Sequence, residues 1–263
     1  MLIVGAGVGG LTLARVLTRA GIAPKIVDAR PASAPRKDKG LGIWDAAQEI
    51  LRGTLGDGWM REHAHLISPA SYRSTSGIWL SRPSASQANE KRVATMHQND
   101  LLTALSENVE VERGKQVIAV EQQHDRSVVR FADGRDEEAE LVVGADGIQS
   151  AVRGAVFPDA ELRATGKTCY SAISKTISMD GTAPFEMLGR SERSGRSWLL
   201  PPDPGAVAPG GSTIAIAVIP LGGGKLFWSI LPSRVPAVAR DICQLPTHSA
   251  GADRQQPAVG SRT

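Results

Sequence analysis

The chain has 263 residues, of which 41% are hydrophobic and 22% are charged. This composition is typical of a folded protein with a sizeable core and excludes a disordered chain. Aromatic residues make up only 4%, and the formal charge of +3 comes from basic residues scattered among acids. We therefore expect no nucleic acid among its partners.

No segment of the sequence predicts a membrane span. Residues 1–22 are apolar but lack a basic leader, and glycines, Arg15 and Arg19 interrupt them, unlike a signal peptide. The apolar stretch 214–226 is too short to cross a bilayer. The two cysteines lie far apart and have no CxxC partner, so they predict no disulfide framework. We expect a soluble protein of a reducing, cytoplasmic compartment.

The N-terminal residues predict a βαβ unit. Residues 2–4 form an apolar run typical of a buried strand, and residues 11–19 have the apolar spacing of a helix. Gly21 ends that helix, and residues 25–28 predict the next strand. Because a helix connects them, the two strands should be parallel, with a right-handed crossover.

Further elements follow at regular intervals. Residues 44–55 predict a helix, and Asn99 or Asp100 is expected to cap another helix at 101–105. Residues 127–131 predict a strand that returns over 139–143 as a hairpin.

From about residue 168 the pattern changes to short strands. They are predicted at 169–177, 197–200, 214–219 and 226–231, with Gly- and Pro-rich separators that favour an antiparallel sheet. We predict an α/β fold, with a Rossmann-like domain (parallel sheet) at 1–67 and 93–160 and an antiparallel-sheet substrate domain at 68–92 and 161–232. Residues 233–263 are expected to be disordered.

The first candidate motif is a glycine-rich turn between the first strand and the first helix. Gly5-Ala6-Gly7-Val8-Gly9-Gly10 fits the G-x-G-x-x-G pattern of a dinucleotide site. Gly5 permits a tight turn, Gly7 permits close approach of a pyrophosphate, and Gly10 permits close packing of helix on strand. Asp28, at the end of the second strand, is placed to accept hydrogen bonds from a ribose and to repel a 2′-phosphate. This motif alone leaves FAD and NAD open.

The second candidate motif lies in the middle of the chain. Residues 141–143 predict a buried strand, followed by the small-residue turn Gly144-Ala145-Asp146-Gly147 and a helix for which Ser150 is a suitable cap. Asp146 could accept a hydrogen bond from a ligand hydroxyl at the strand end. A capped strand–helix junction without a ligand is the alternative interpretation.

The two motifs together resemble the FAD-dependent aromatic hydroxylases, the single-component flavin monooxygenases related to 4-hydroxybenzoate and salicylate hydroxylases. The first motif matches residues 5–10, and the second, the "DG" motif, matches residues 144–153. Weaker similarity covers residues 40–43, a flavin-side loop, and residues 221–228, a strand pair of the substrate domain.

The resemblance implies an oxidoreductase that binds FAD and is reduced by NADPH or NADH. It further implies a flavin hydroperoxide, formed with dioxygen, that transfers oxygen to a small, aromatic or similarly electron-rich substrate. No side chain is assigned as catalytic, and the oligomeric state stays open. The implied cofactor-binding residues are Gly5, Gly7, Val8, Gly9, Gly10, Asp28, Ala29, Arg30, Gly42, Gln98, Val117, Asp146, Gly147 and Arg153.

Two departures from the family pattern define the alternatives. Many relatives have Arg where this chain has Gln98, whose amide can still donate a hydrogen bond. A third, Gly-Asp motif beyond the substrate domain is missing, so the alternative is a truncated flavin-binding protein without turnover. An NAD-linked dehydrogenase ranks last, because it leaves residues 144–153 unexplained.

No metal site or hydrolytic nucleophile is predicted. His63 and His65 are two residues apart, a poor spacing for ligands on a helix, and we expect them to be exposed to solvent. His97, beside Gln98, is interpreted as a structural histidine with a hydrogen-bond partner, although it could line the flavin site.

Overall fold

The computed structural model describes residues 1–36, 38–67, 71–74, 79–81, 93–165, 168–175, 186–189, 214–222 and 225–232. Helices and strands alternate at first, and strands dominate later. In chain order the elements are β1 (Leu2–Val4), α1 (Val8–Arg19), β2 (Lys25–Asp28), β3 (Gly40–Ile43), α2 (Asp45–Leu55), α3 (Asp57–His63), β4 (His65–Ile67), β5 (Ser71–Ser74), β6 (Trp79–Ser81), β7 (Val93–His97), α4 (Gln98–Ser106), β8 (Glu112–Arg113), β9 (Val117–Gln122), β10 (Ser127–Phe131), β11 (Asp136–Ala139), β12 (Val142–Gly144), α5 (Ala151–Val156), β13 (Tyr170–Lys175), β14 (Glu186–Gly189), β15 (Ile214–Leu221) and β16 (Lys225–Pro232).

A four-stranded parallel sheet with the order β12-β1-β2-β8 contains both predicted motifs. Ile3 of β1 lies opposite Ile26 of β2 on one side and opposite Val143 of β12 on the other. The predicted βαβ unit is therefore confirmed. Because all four strands run in one direction, the turns that follow β1, β2 and β12 meet at the same edge of the sheet.

The chain packs two cores against opposite faces of β1. Successive side chains of a strand point to opposite faces, so Ile3 lies in one core while Leu2 and Val4 lie in the other. Leu11 of α1 and Leu101 of α4 pack with Ile3, and all three are fully buried. This packing holds α1 and α4 against one face of the parallel sheet.

A three-stranded antiparallel sheet, β11-β10-β9, forms a separate meander. The predicted return strand at 139–143 is wrong. The strand that pairs with β10 is the acidic β11, in which Glu138 lies opposite Val128. The apolar residues that follow form β12, because a place beside β1 partly buries Val142 and Val143 whereas an edge of the meander would leave them in water.

Residues 40–43, predicted to be a loop, form strand β3. This strand pairs antiparallel with β7, and β4 pairs with the other edge of β7. The predicted cap of α4 at Asn99 or Asp100 is also wrong, because α4 begins at Gln98 and His97 occupies the cap position without a side-chain cap bond. His63 and His65 are partly buried, and the His63 ring stacks on Trp59 with ring centroids 4.5 Å apart.

A six-stranded sheet has the order β13-β16-β15-β14-β5-β6. Its pairs are antiparallel except β14 with β5, which are parallel. The strand predictions at 169–177, 214–219 and 226–231 correspond to β13, β15 and β16. The predictions for 197–200 and for the tail after 232 lie outside the described residues. The helices that the structure describes lack the length and the apolar run that a bilayer crossing requires.

Candidate cofactor site

The glycine turn after β1 has a backbone that only glycine adopts without strain. Gly5 has φ +104°, and its N–H donates to the carbonyl oxygen of Val27 at 2.7 Å. A Cβ added to Gly5 would lie 2.3 Å from the carbonyl oxygen of Ala145, which lies in the turn after β12. Both the dihedral angle and the contact exclude a side chain at this position.

The first turn of α1 is packed on one side and open on the other. A Cβ added to Gly10 would lie 2.0 Å from the carbonyl oxygen of Gly5, so helix and turn are in direct contact. At Gly7 and Gly9 an added Cβ would meet no atom within 4 Å. Gly7 occupies the cap position and supplies no side-chain cap bond to the amides that begin at Val8. These amides, with the positive end of the helix dipole, fit a pyrophosphate.

Asp28, at the end of β2, accepts hydrogen bonds from both the glycine turn and the loop that follows β2. It is 6% exposed. Its Oδ2 accepts a hydrogen bond from the Ala6 N–H at 2.8 Å, and its Oδ1 accepts from the Arg30 N–H at 2.8 Å and from Arg30 Nε at 3.2 Å. Burial opposes ionisation, but the bonds from the Arg30 side chain and the two amides outweigh it and lower the pKa of the Asp28 carboxyl. Ala29 and Arg30 follow it in an exposed position.

The turn after β12 lies directly beside the glycine turn. The Ala145 N–H donates to the carbonyl oxygen of Val4 at 2.7 Å. A Cβ added to Gly5 would lie 2.9 Å from the α-carbon of Asp146. The structure thus brings together two motifs that lie about half the chain apart.

The Asp146 carboxylate accepts hydrogen bonds from the start of the helix that follows it. Oδ1 accepts a hydrogen bond from Ser150 Oγ at 2.6 Å, and Oδ2 accepts from the N–H of Ala151 at 2.7 Å and of Val152 at 3.3 Å. Ser150 is the predicted cap, and its Oγ accepts from the Arg153 N–H at 2.8 Å. This part of the motif therefore fits the capped-junction interpretation. A ligand bond to Asp146 stays a prediction.

Gly147 and Arg153 shape the outer side of this turn. Gly147 has φ +83°, and a Cβ added there would meet no atom within 4 Å. The Arg153 guanidinium donates to the carbonyl oxygens of Gly147 at 3.4 Å and Ile148 at 2.5 Å. It thereby places a positive charge beside the turn.

The remaining candidates lie on separate elements. Gly42 lies on β3 opposite Thr95 of β7, and Gln98 is the first residue of α4. The Gln98 N–H donates to the carbonyl oxygen of Lys39 at 2.9 Å, which joins the two segments. Val117 is 9% exposed and packs in the core with Val4 and Val27, so only its backbone is available to a cofactor.

Sequence reasoning missed the residues that connect these segments. Ala6 donates to Asp28, and Asp38 accepts hydrogen bonds from residues about sixty positions away. No local pattern marks such pairs. Across the described residues, His, Cys, Asp and Glu side chains form no group of three that could hold a metal ion.

Comparison with known families accounts for this geometry. The family model described as "FAD binding domain" matches residues 1–227. The chain belongs to this FAD-binding family. FAD is therefore the cofactor of this family, in agreement with the resemblance found in the sequence.

Curated relatives of this FAD-binding family are similar over most of the chain. The 2-heptyl-3-hydroxy-4(1H)-quinolone synthase of Pseudomonas aeruginosa strain PAO1 is 32% identical over 199 residues, which is 74% of this chain and 52% of that protein. The aurachin C monooxygenase/isomerase of Stigmatella aurantiaca is 30% identical over 235 residues, or 87% of this chain and 55% of that protein. The chain thus spans about half the length of these relatives.

Solved structures show the same fold. Klebsiella pneumoniae HpxO in complex with FAD and uric acid has a TM-score of 0.66 and 19% identity, and the match covers 90% of this chain and 57% of that one. The 2,6-dihydroxypyridine-3-hydroxylase of Arthrobacter nicotinovorans has a TM-score of 0.63 and 17% identity, and covers 88% of this chain and 55% of that one. The α/β fold predicted from the sequence is confirmed.

Proposed function

We propose that this chain binds FAD at the edge where the turns after β1, β2 and β12 meet, and that it works as an NAD(P)H-dependent monooxygenase on a small aromatic or similarly electron-rich substrate. The observation that carries the proposal is the direct contact between the Gly5 turn and Asp146. Two turns on neighbouring parallel strands that touch can contact one extended dinucleotide.

Each part of this edge has a defined task. The amides at the start of α1 bind the pyrophosphate, and the missing Cβ atoms of Gly7 and Gly9 let it approach. The Asp28 carboxylate accepts a hydrogen bond from the adenosine ribose in place of one of the longer bonds, at 3.2 and 3.4 Å, that it accepts from the half-exposed Arg30 side chain. Its negative charge disfavours a 2′-phosphate at this position. Bound FAD supplies the electron transfer and the reaction with dioxygen.

The substrate class is supported by the names of the relatives. They include a 6-hydroxynicotinate 3-monooxygenase and a 3-amino-4-hydroxybenzoate 2-monooxygenase. For this chain we infer a substituted aromatic ring as substrate, with dioxygen and a reduced nicotinamide as co-substrates. We place the protein in the cytoplasm, because its two cysteines form no disulfide framework.

A second candidate is a flavin-binding protein without turnover. It shares the cofactor with the first candidate, but its bound flavin would not be reduced by a nicotinamide.

Two experiments test these proposals in order. Titration of the purified chain with FAD should give a bound-flavin absorbance spectrum. Asp28→Ala should weaken binding by about tenfold to a hundredfold, as expected from about 1.5–3 kcal/mol for a lost hydrogen bond to a charged group. The control is Asp57→Ala, which removes a 70% exposed carboxylate elsewhere. Unchanged affinity in Asp28→Ala would refute the ribose assignment.

Anaerobic titration with NADPH then separates the two candidates. Flavin bleaching that is accelerated by aromatic acids, with a hydroxylated product after oxygen is admitted, supports the monooxygenase. Bound flavin that neither NADPH nor NADH reduces supports the protein without turnover.

A further inference from the structure

The His97 ring lies between two carboxylates that come from different segments of the chain. Its Nδ1 is 3.0 Å from Asp100 Oδ1, in the first turn of α4. Its Nε2 is 3.0 Å from Asp38 Oδ1, in the segment that leads into β3. The His97 side chain is 11% exposed, whereas that of Asp38 is 65% exposed.

Each ring nitrogen thus has a carboxylate oxygen within hydrogen-bond distance, so the ring connects the segment before β3 to the first turn of α4. A hydrogen bond to a carboxylate is charge-assisted and therefore stronger than a bond between neutral groups.

Two further groups complete the cluster. Asn99 Nδ2 donates to Asp38 Oδ1 at 2.9 Å, and Lys225 Nζ of β16 lies 3.6 Å from Asp100 Oδ2. Burial opposes ionisation of Asp100, but the hydrogen bond and charge of His97 and the charge of Lys225 outweigh it and lower the pKa of this carboxyl. Lys225 thus places a positive charge beside the Asp100 carboxylate.

The cluster joins two segments that carry candidate flavin-contacting residues, 38–42 and the start of α4, to the six-stranded sheet that contains β16. Asp38 is followed by Lys39, whose carbonyl oxygen accepts from the Gln98 N–H at 2.9 Å. Gly40, at the start of β3, lies so close to β16 that an added Cβ would be 2.7 Å from Phe227 Cβ. The segment 38–42, the start of α4 and β16 therefore meet at His97.

We propose that His97 is a positioning residue for FAD: through its hydrogen bonds to Asp38 and Asp100 it holds segment 38–42 against the start of α4, so that Gly42 and Gln98 reach the cofactor in one fixed arrangement. This inference rests on the proposed FAD binding. It assigns no chemical step to His97.

The test compares FAD dissociation constants, measured by flavin fluorescence, for the full chain and a set of variants. His97→Gln and Asp38→Ala should each weaken FAD binding about three- to tenfold. The double variant should bind FAD no more weakly than the weaker-binding of the two single variants, because both changes break the same connection. Asp38→Asn should stay within about twofold of the parent, since the amide that replaces the carboxylate can still form a hydrogen bond with Nε2. Asp57→Ala, which removes a 70% exposed carboxylate, is the matched control and should leave FAD affinity unchanged.

Hydrogen exchange of the FAD-free protein gives a second readout. The amide of Gln98 should exchange faster in His97→Gln and in Asp38→Ala than in the parent or in Asp57→Ala. If His97→Gln fails to fold, Asp38→Ala still tests the proposal, because the Asp38 side chain is exposed.

Several results would overturn the proposal. Lower unfolding stability of His97→Gln with unchanged FAD affinity would reduce His97 to a structural residue. Effects of the two single changes that multiply in the double variant would show that they act separately. If the parent protein takes up no FAD, the proposed function itself is overturned. The measurement on the parent alone decides this, independently of the variants.

Discussion

Gly10 lies so close to Gly5 that a Cβ added to Gly10 would be 2.0 Å from the Gly5 carbonyl oxygen. This contact sets the distance between the first helix and the turn that precedes it. The fold therefore requires a glycine at position 10, whereas Gly7 and Gly9, where an added Cβ would meet no atom within 4 Å, leave room for a ligand.

Gly10→Ala should destabilise the protein by about 1–3 kcal/mol, because helix and turn must separate to admit a methyl group. Gly9→Ala is the matched control, since its added Cβ meets no atom within 4 Å. Removal of a helical glycine should leave stability unchanged or raise it by up to about 1 kcal/mol. Urea unfolding measures both. Equal stability of the two variants would contradict the close packing of α1 on the turn.

Asp28→Asn should lower the free energy of unfolding at neutral pH by about 1.5–3 kcal/mol, the range for hydrogen bonds to a charged group. The pKa of Asp28 is lower in the folded protein than in the unfolded chain. Its contribution is thus fully present above the unfolded-state pKa and is lost as the pH falls through the folded-state pKa. The stability difference between parent and variant should therefore shrink below about pH 4. A difference that stays constant down to about pH 2 would contradict the assignment.

Asp146→Ala should destabilise the start of α5 by about 1–2 kcal/mol, because its carboxylate accepts bonds from two amides and from Ser150 Oγ. Ser150→Ala removes both its bond to Asp146 and its own cap bond to the Arg153 N–H. The double variant should lose less than the sum of the two, which denaturant unfolding can determine. If Asp146→Ala slows flavin reduction but leaves stability intact, then the carboxylate acts on the cofactor instead of the helix.

Arg15→Met should lower stability by about 1–2 kcal/mol, because the guanidinium donates to two carbonyl oxygens at the C-terminal end of α4. These are Ala104 O at 2.9 Å and Glu107 O at 2.8 Å. Arg15→Lys keeps the charge, but its single flexible amine should recover only part of the loss. Thermal unfolding compares the three proteins. Full recovery by lysine would show that charge alone matters here.

The strands and turns next to each motif could be predicted because local chemistry determines them. Leu2, Ile3 and Val4 are apolar on both faces, as a strand buried between two cores requires, and β1 and β2 have the predicted bounds. The contact between the Gly5 and Asp146 turns was predictable from the rule for parallel strand ends.

Residues that act over long distances could not be predicted. β11 is polar, and Glu138 in it forms an ion pair at 2.7 Å with Arg126, which lies just before β10. The bond between His97 and Asp38 joins positions 59 residues apart, and that between Arg15 and Glu107 joins positions 92 apart. Polar side chains at such separations carry no periodic signal, so a single sequence does not reveal which of them meet.

The place of β1 between β2 and β12 has a consequence for biosynthesis. During translation, β2 reaches β1 early, but one edge of Leu2–Val4 has no partner until residues 142–144 leave the ribosome. An apolar strand with an open edge is a template for pairing with other chains. Nascent chains that stall before β12 should therefore depend on chaperones and should self-associate without them.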